Sequence, residues 1–125
     1  MQAAFLVFVG GGLGAVARHG VNVVAGRLLG TGYPWGTFAV NVAGSFLMGA
    51  LVAWLTVKYE GGQGVRLFLA TGVLGGFTTF SSFSLDAVVL WERGAHAAAA
   101  GYVAASLVLS VLGLVAGLAL VRAWA

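Results

Sequence analysis

Hydroxyl and amide side chains recur at helical spacing inside long apolar segments of this chain of 125 residues. Two rows follow the spacing i, i+4, i+8, which places the members of each row on one helix face: Thr37, Asn41 and Ser45, and Tyr102, Ser106 and Ser110. An isolated hydroxyl in a membrane helix usually serves only to hydrogen-bond a neighbouring helix. Two rows of donors beside a broken helix would instead favour a path for a small polar solute or ion.

A third apolar segment, residues 67–91, is long enough to cross a bilayer but makes a poor continuous helix. Its middle carries the run Gly72-Val73-Leu74-Gly75-Gly76-Phe77-Thr78-Thr79-Phe80-Ser81-Ser82-Phe83. Each glycine costs about 1 kcal/mol of helical stability relative to alanine, and the hydroxyls compete for backbone hydrogen bonds. We therefore predict a break in this helix, and a broken membrane helix usually lines a pathway or a binding site.

The groups available to line such a path favour an anion over a cation. They donate hydrogen bonds through N–H or O–H, and no ring of carboxylates accompanies them. An aromatic cluster of Phe77, Phe80 and Phe83 offers ring edges, which carry partial positive charge. A small anion that sheds its water fits these groups better than a cation does.

Composition places the chain in a membrane, because 61% of its residues are hydrophobic, only 7% are charged, and the mean hydropathy is +1.04. At about 20 residues per crossing, four spans use nearly all of the chain. We predict an all-α membrane protein, residues 1–125, whose third transmembrane helix is broken in its middle. The predicted spans cover about 3–29, 37–57, 65–91 and 97–121.

Lysine and arginine residues in the flanks of the spans show no bias toward one side. One side receives Lys58, Arg66 and Arg122, and the other receives Arg18, Arg27 and Arg93 if Arg18 is counted at its nearer end. Either nine charged residues are too few to set an orientation, or the chain inserts both ways. The second interpretation predicts an antiparallel, dual-topology homodimer with its axis in the membrane plane. We interpret the pI near 10 as part of this topology signal and expect no nucleic-acid partner.

Small residues spaced four apart let helix backbones approach closely. Three such pairs occur: Gly10 and Gly14, Gly72 and Gly76, and Gly113 and Gly117. Packing within one chain and packing between two chains would use these pairs equally well.

The first three spans each contain a distinctive motif: Gly11-Gly12-Leu13-Gly14-Ala15-Val16-Ala17-Arg18, Asn41-Val42-Ala43-Gly44-Ser45-Phe46 and Gly75-Gly76-Phe77-Thr78-Thr79-Phe80-Ser81-Ser82-Phe83. With these motifs the chain resembles the Fluc/CrcB family of fluoride channels, and the resemblance extends over essentially the full chain. The resemblance implies an antiparallel, dual-topology homodimer of four-helix subunits that passively exports fluoride across the bacterial inner membrane. The implied partners are fluoride, the lipid bilayer and a second copy of the chain.

The same resemblance assigns roles to individual positions. The implied fluoride path consists of side chains from spans two, three and four: Asn41, Phe80, Phe83, Ser106, Ser110, Tyr102 and Thr37. The implied cofactor is a structural sodium ion at the dimer centre, held by the backbone carbonyls of Gly75 and Thr78. Phe77 and Ser82 stand where the family commonly has leucine and threonine.

Two charged residues within the spans need separate interpretation. We expect Arg18 either to attract anions at a pore mouth or to snorkel and pair with Asp86. We expect Asp86 to anchor Arg18 or to line a vestibule. The sequence shows no nucleophile with a base, no metal-ligand cluster and no phosphate loop, so we expect no enzymatic activity.

A small multidrug-type proton antiporter of dual topology is the main alternative, because it shares the length and the number of spans. Such antiporters need a carboxylate embedded in the membrane, usually in the first helix. Here only Asp86 qualifies, toward a helix end. A passive assembly or scaffold protein would explain the glycines but not the rows of polar side chains.

Overall fold

A computed structural model describes residues 1–57 and 62–124 of the chain, and these residues form helices joined by short connections. Four helical spans are long and apolar enough to cross a membrane: α1 (Gln2–Leu29), α2 (Trp35–Val57), the span Gln63–Glu92, and α5 (His96–Trp124). The prediction of an all-helical protein with four spans and a bent third span is confirmed. The helix ends differ from the predicted span limits by a few residues, and Lys58 lies outside the described residues.

The third span consists of two helical segments separated by two extended residues. Segment α3, residues 63–77, includes a π-helical stretch, Leu67–Leu74, after which the N–H of Gly75 donates to the carbonyl of Ala70 five residues back. Segment α4 covers Phe80–Glu92. Thr78 (φ −88°, ψ 158°) and Thr79 (φ −155°, ψ 120°) lie between them in extended conformation.

The break therefore falls after the glycines and not on them. Gly75 and Gly76 remain helical, and the chain leaves the helix at two β-branched residues, Thr78 and Thr79. The hydroxyl of Thr79 accepts a hydrogen bond from the N–H of Ser82 and so caps the start of α4. A residue that prefers capping to the helix interior thus sets the position of the break.

The glycines instead allow α1 to contact α3 backbone to backbone. A methyl group placed on Gly14 of α1 would overlap the carbonyl oxygen of Val73, and one placed on Gly76 of α3 would overlap that of Gly11. The first two glycine pairs thus serve packing within one chain.

A second close contact joins α5 to α2. A methyl group on Gly117 of α5 would overlap the carbonyl oxygen of Phe46, and one on Gly49 of α2 would overlap that of Leu114. The third predicted pair, through Gly117, is therefore also used within the chain. The bundle consists of two tightly joined helix pairs, α1 with α3 and α2 with α5.

Segment α4 packs on α5 through side chains and not through glycines. A buried cluster contains Phe83 and Leu90 from α4, with Ala99 and Tyr102 from α5. Tyr102 is fully buried and is one of the two largest such side chains. This cluster holds the second half of the broken span in place next to the polar row of α5.

Candidate functional site

Asn41 on α2 holds the break through the backbone of Thr79. Its Nδ2 donates to the carbonyl oxygen of Thr79 at 3.0 Å, and its Oδ1 accepts from the N–H of Thr79 at 2.7 Å. In a continuous helix this N–H would donate to the carbonyl of Gly75. The amide of Asn41 therefore replaces a lost helix hydrogen bond, and one N–H of its NH₂ group stays available.

Arg18 reaches the other side of the break. Its Nε donates to the carbonyl oxygen of Gly76 at 3.1 Å. The last carbonyls of a helix lack donors within the helix, and a positive charge there also complements the helix dipole. Arg18 is half-buried at the middle of the bundle and not at a span end.

The expected ion pair between Arg18 and Asp86 is absent from the described residues, because each side chain has another partner. Since Arg18 lies in the middle of α1, it does not belong in the count of lysines and arginines that flank the spans. The side of the membrane to which it had been assigned therefore keeps Arg27 and Arg93.

Tyr102 connects Asp86 to the aromatic core. Its hydroxyl donates to Oδ2 of Asp86 at 3.3 Å, and its ring centroid lies 5.3 Å from that of Phe83. The ring of Tyr33, in the connection between α1 and α2, meets Tyr102 edge-on with centroids 5.6 Å apart. Burial raises the pKa of Tyr33 above its ordinary value, because it disfavours the charged phenolate.

A cavity of about 240 Å³ adjoins the break between α2, α4 and α5. Its lining includes five of the seven predicted path residues: Asn41, Phe80, Phe83, Ser106 and Ser110. Ser45, Thr78 and Thr79 also line it. The spacing of the row on α2 already indicated Ser45, whereas Thr79 enters the lining only because the helix breaks beside it.

Thr37 and Tyr102, the other two predicted path residues, lie outside this cavity. Thr37 lines a second cavity of about 360 Å³ near the connection between α1 and α2. Asp86 and Arg93 line the same cavity, so it contains groups of both charges. Tyr102 contacts Phe83 of the first cavity and Asp86 of the second, and thus lies where the two approach each other.

The hydroxyl of Ser106 is the buried side-chain polar atom without a hydrogen-bond partner in the described part of the chain. Ser106 is only 4% exposed and lines the first cavity. Buried polar groups in native proteins nearly always have partners, so an unpaired one needs an explanation. Here the unpaired hydroxyl belongs to a residue of the cavity lining.

The predicted aromatic cluster divides into two parts. Phe80 and Phe83 line the cavity with ring centroids 5.4 Å apart and planes tilted by 45°. Phe83 is buried, whereas Phe80 is 74% exposed on a single chain. Phe77 is not in the cavity lining and lies next to Gly44 of α2.

The backbone oxygen of Gly75 has the character of a cation ligand. The N–H of Thr79, its donor in a continuous helix, is bound to Asn41, and no other donor in the described chain replaces it. Gly75 is exposed on the single chain. The carbonyl of Thr78 also lacks its donor of a continuous helix, because the N–H of Ser82 donates to the hydroxyl of Thr79. Backbone carbonyls of this kind fit a hard cation such as sodium.

Comparison with known proteins shows the family of the chain. The family model described as "CrcB-like protein, Camphor Resistance (CrcB)" matches residues 5–118. A "Fluoride-specific ion channel FluC" of Rhodopseudomonas palustris (strain BisB5) is 58% identical over 118 residues, which cover 94% of this chain and 95% of the relative. A protein of the same name from Chelativorans sp. (strain BNC1) is 57% identical over 122 residues, 98% of each chain. The polar cavity beside a broken third span is thus found in a chain that belongs to the CrcB family.

Proposed function

We propose that this protein is a fluoride-specific ion channel that conducts fluoride passively. The observation that carries the proposal is the unpaired, buried hydroxyl of Ser106 on the wall of a cavity that also contains Asn41, Phe80 and Phe83. The cavity lies in a chain that is 58% identical to a protein named as a fluoride-specific ion channel.

The lining suits fluoride because separate contacts with the protein can replace the water molecules bound to the ion. Fluoride accepts strong hydrogen bonds, and the hydroxyls of Ser106 and Ser110 and the free N–H of Asn41 can donate them. The edges of Phe80 and Phe83 add weaker attraction. Conduction requires that an ion bind well enough to enter but loosely enough to leave, and a mixture of strong donors and weak ring edges meets both conditions.

The antiporter alternative finds no support in the site. The carboxylate of Asp86 lines the second cavity and accepts a hydrogen bond from Tyr102, and it does not line the cavity at the break. Membership in the CrcB family also points to a channel. The expectation that the protein is not an enzyme is supported by its membership in a family whose relatives are named as ion channels.

Assembly into an antiparallel homodimer is part of the proposal. In the middle of the span Gln63–Glu92, a single chain leaves the carbonyl of Gly75 unpaired and the ring of Phe80 exposed. Lipid cannot hydrogen-bond a carbonyl, so protein or an ion must satisfy it. A second copy in the opposite orientation would bring an identical break to this face. The few flanking lysines and arginines are consistent with insertion in both orientations.

A sodium ion between the two breaks would complete the assembly. The carbonyl oxygens of Gly75 and Thr78 from each chain would coordinate it, and the ion would take the place of the missing hydrogen-bond donors. We place the protein as a multi-pass protein in the bacterial inner membrane, where the export of fluoride would lower its toxicity in the cytoplasm.

Efflux from liposomes tests the function. Purified protein is reconstituted into vesicles loaded with potassium fluoride, potassium chloride or a cationic dye, and valinomycin compensates the charge. We expect rapid fluoride release with chloride and dye retained. Release of the dye, or equal release of chloride and fluoride, would contradict the proposal.

Orientation and sodium need separate measurements. Two lysines added to the connection from Gly61 to Gly64 should bias all chains to one orientation and abolish functional dimers, whereas undiminished antiparallel dimers would refute dual topology. Gly75→Val, which introduces a bulky β-branched side chain, should weaken both sodium retention and dimer assembly. Thr78→Ala, which keeps the backbone carbonyl, should weaken them less. Equal damage from both substitutions would argue for a side-chain site.

A further inference from the structure

The break in the third span leaves backbone groups that a continuous helix would have paired. The N–H of Thr79 no longer donates to Gly75, and the carbonyl of Gly76 no longer receives a donor from Phe80, which begins α4. An unpaired backbone group at membrane depth costs several kcal/mol in hydrocarbon, so each of these groups requires another partner.

Two side chains from two different helices supply those partners. Arg18 of α1 donates to the carbonyl of Gly76, and Asn41 of α2 pairs with both the N–H and the carbonyl of Thr79. The two contacts lie on opposite sides of Thr78, which is the first extended residue. Neither side chain reaches the carbonyl of Gly75 or that of Thr78, whose donor in a continuous helix, the N–H of Ser82, is bound to the hydroxyl of Thr79.

We infer that Arg18 and Asn41 are positioning residues that together hold the break, and through it place the ring of Phe80 and the carbonyl of Gly75. The inference deepens the proposed function, on which it rests for its transport assay alone. It gives Arg18 a structural task at the middle of the bundle, distinct from attraction of anions at a pore mouth. It also gives Asn41 a second task beside any contact with the ion.

Close helix packing makes these contacts possible. Arg18 follows Gly14 by one helical turn on α1, and Gly14 lies against Val73 of α3 with no room for a methyl group. On the α2 side, a methyl group on Gly44 would overlap Cγ2 of Thr78. The glycines bring each helix near enough for one side chain to reach the broken backbone.

Backbone NMR of the protein in lipid bilayers tests the inference directly. Carbonyl ¹³C at Gly76 and Thr79 and amide ¹⁵N at Thr79 are labelled, because these shifts respond to hydrogen bonds at the oxygen and at the N–H. Arg18→Gln, Asn41→Leu and Asn41→Asp are compared with Ser45→Ala, which alters the same cavity but removes none of the side-chain hydrogen bonds to Gly76 and Thr79. Fluoride efflux is measured on the same samples.

Each variant has its own expected pattern. Arg18→Gln should move the Gly76 carbonyl signal, because the shorter side chain does not reach that oxygen. Asn41→Leu should move both Thr79 signals. Asn41→Asp keeps the acceptor for the Thr79 N–H but loses the donor to its carbonyl, so it should move the carbonyl signal much more than the amide signal. Ser45→Ala should lower efflux without moving any of the three.

Efflux should fall at least tenfold in all three variants at the break. The inference is overturned if efflux falls while the Gly76 and Thr79 signals stay at wild-type positions, because the side chains would then act on the ion alone. It is also overturned if Ser45→Ala moves these signals equally. If Asn41→Leu does not assemble, the unequal response of Asn41→Asp decides. Wild-type protein that fails to conduct fluoride would refute the function and leave the NMR result to judge the positioning roles.

Discussion

Replacing Ser106 by alanine should make the protein more stable and a poorer channel. The hydroxyl is buried without a partner, and its removal relieves a desolvation cost of about 1–3 kcal/mol. The reference state is also in the membrane, where measured interhelical hydrogen bonds average about 0.6 kcal/mol. We therefore expect a gain near the lower limit, about 1 kcal/mol. The change removes one oxygen atom from a cavity wall, so no new packing defect offsets this gain.

The effect on conduction should have the opposite sign. A hydrogen bond to a charged group contributes about 1.5–3 kcal/mol, and the loss of 1.36 kcal/mol at the highest barrier slows a rate tenfold. Fluoride efflux from liposomes carrying Ser106→Ala should thus fall at least tenfold. Stability is measured by thermal denaturation in detergent, and efflux with a fluoride electrode.

Ser84→Ala is the matched control. Its hydroxyl donates to the carbonyl of Phe80 one turn earlier and lines neither of the two cavities described above. We expect wild-type efflux and little change in stability. If Ser106→Ala instead lowers the denaturation midpoint, the hydroxyl has a structural partner. If the variant is stabilised but conducts like wild type, Ser106 does not lie on the path.

Three further predictions concern packing and the aromatic groups. Phe83→Ile should cost about 1 kcal/mol of stability because its ring packs on Tyr102, while Phe80→Ile should leave the isolated chain's stability unchanged. Both substitutions should reduce fluoride efflux. Normal efflux from both variants would exclude ring edges from the path. Gly14→Ala should destabilise the bundle by about 1–3 kcal/mol in thermal denaturation, whereas Gly20→Ala, with open space for a methyl group, should not; equal midpoints would contradict the backbone contact. Tyr102→Phe should lower efflux, because it leaves the carboxylate of Asp86 without its hydrogen-bond donor near the path, and the stability loss should be at most about 1 kcal/mol. Unchanged efflux would show that this carboxylate is too distant from the path to affect the ion.

Local spacing was sufficient to predict the spans and to identify most of the residues that line the cavity. Asn41 and Ser106 recur with their neighbours at a period of four, and this period survives folding because each row lies on one continuous helix. The break was predicted from the glycines and the hydroxyls of residues 72–83 together, and only the hydroxyl-bearing residues lie at it, because Gly76 serves instead to let α3 lie against the backbone of α1.

Partners that meet only through tertiary packing were beyond sequence reasoning. Arg18 and Gly76 are 58 positions apart, and Asn41 and Thr79 are 38 apart. Their contacts depend on which helix faces meet, and charge alone suggested Asp86 as the partner of Arg18. The π-helical stretch Leu67–Leu74 likewise carried no signal that the pattern of apolar residues could reveal.

The hydrogen bonds at the break also have an order in time. Both donors to it, Arg18 and Asn41, belong to helices that the ribosome completes before the third span emerges. Because synthesis begins at the N-terminus, α1 and α2 are made before Gly76 and Thr79. The contacts of Arg18 and Asn41 with the break can therefore form as soon as the third span meets the first two. The shape of the third span therefore depends on segments made before it, and we expect an Arg18→Gln chain to insert but to lack one of the contacts that shape the break.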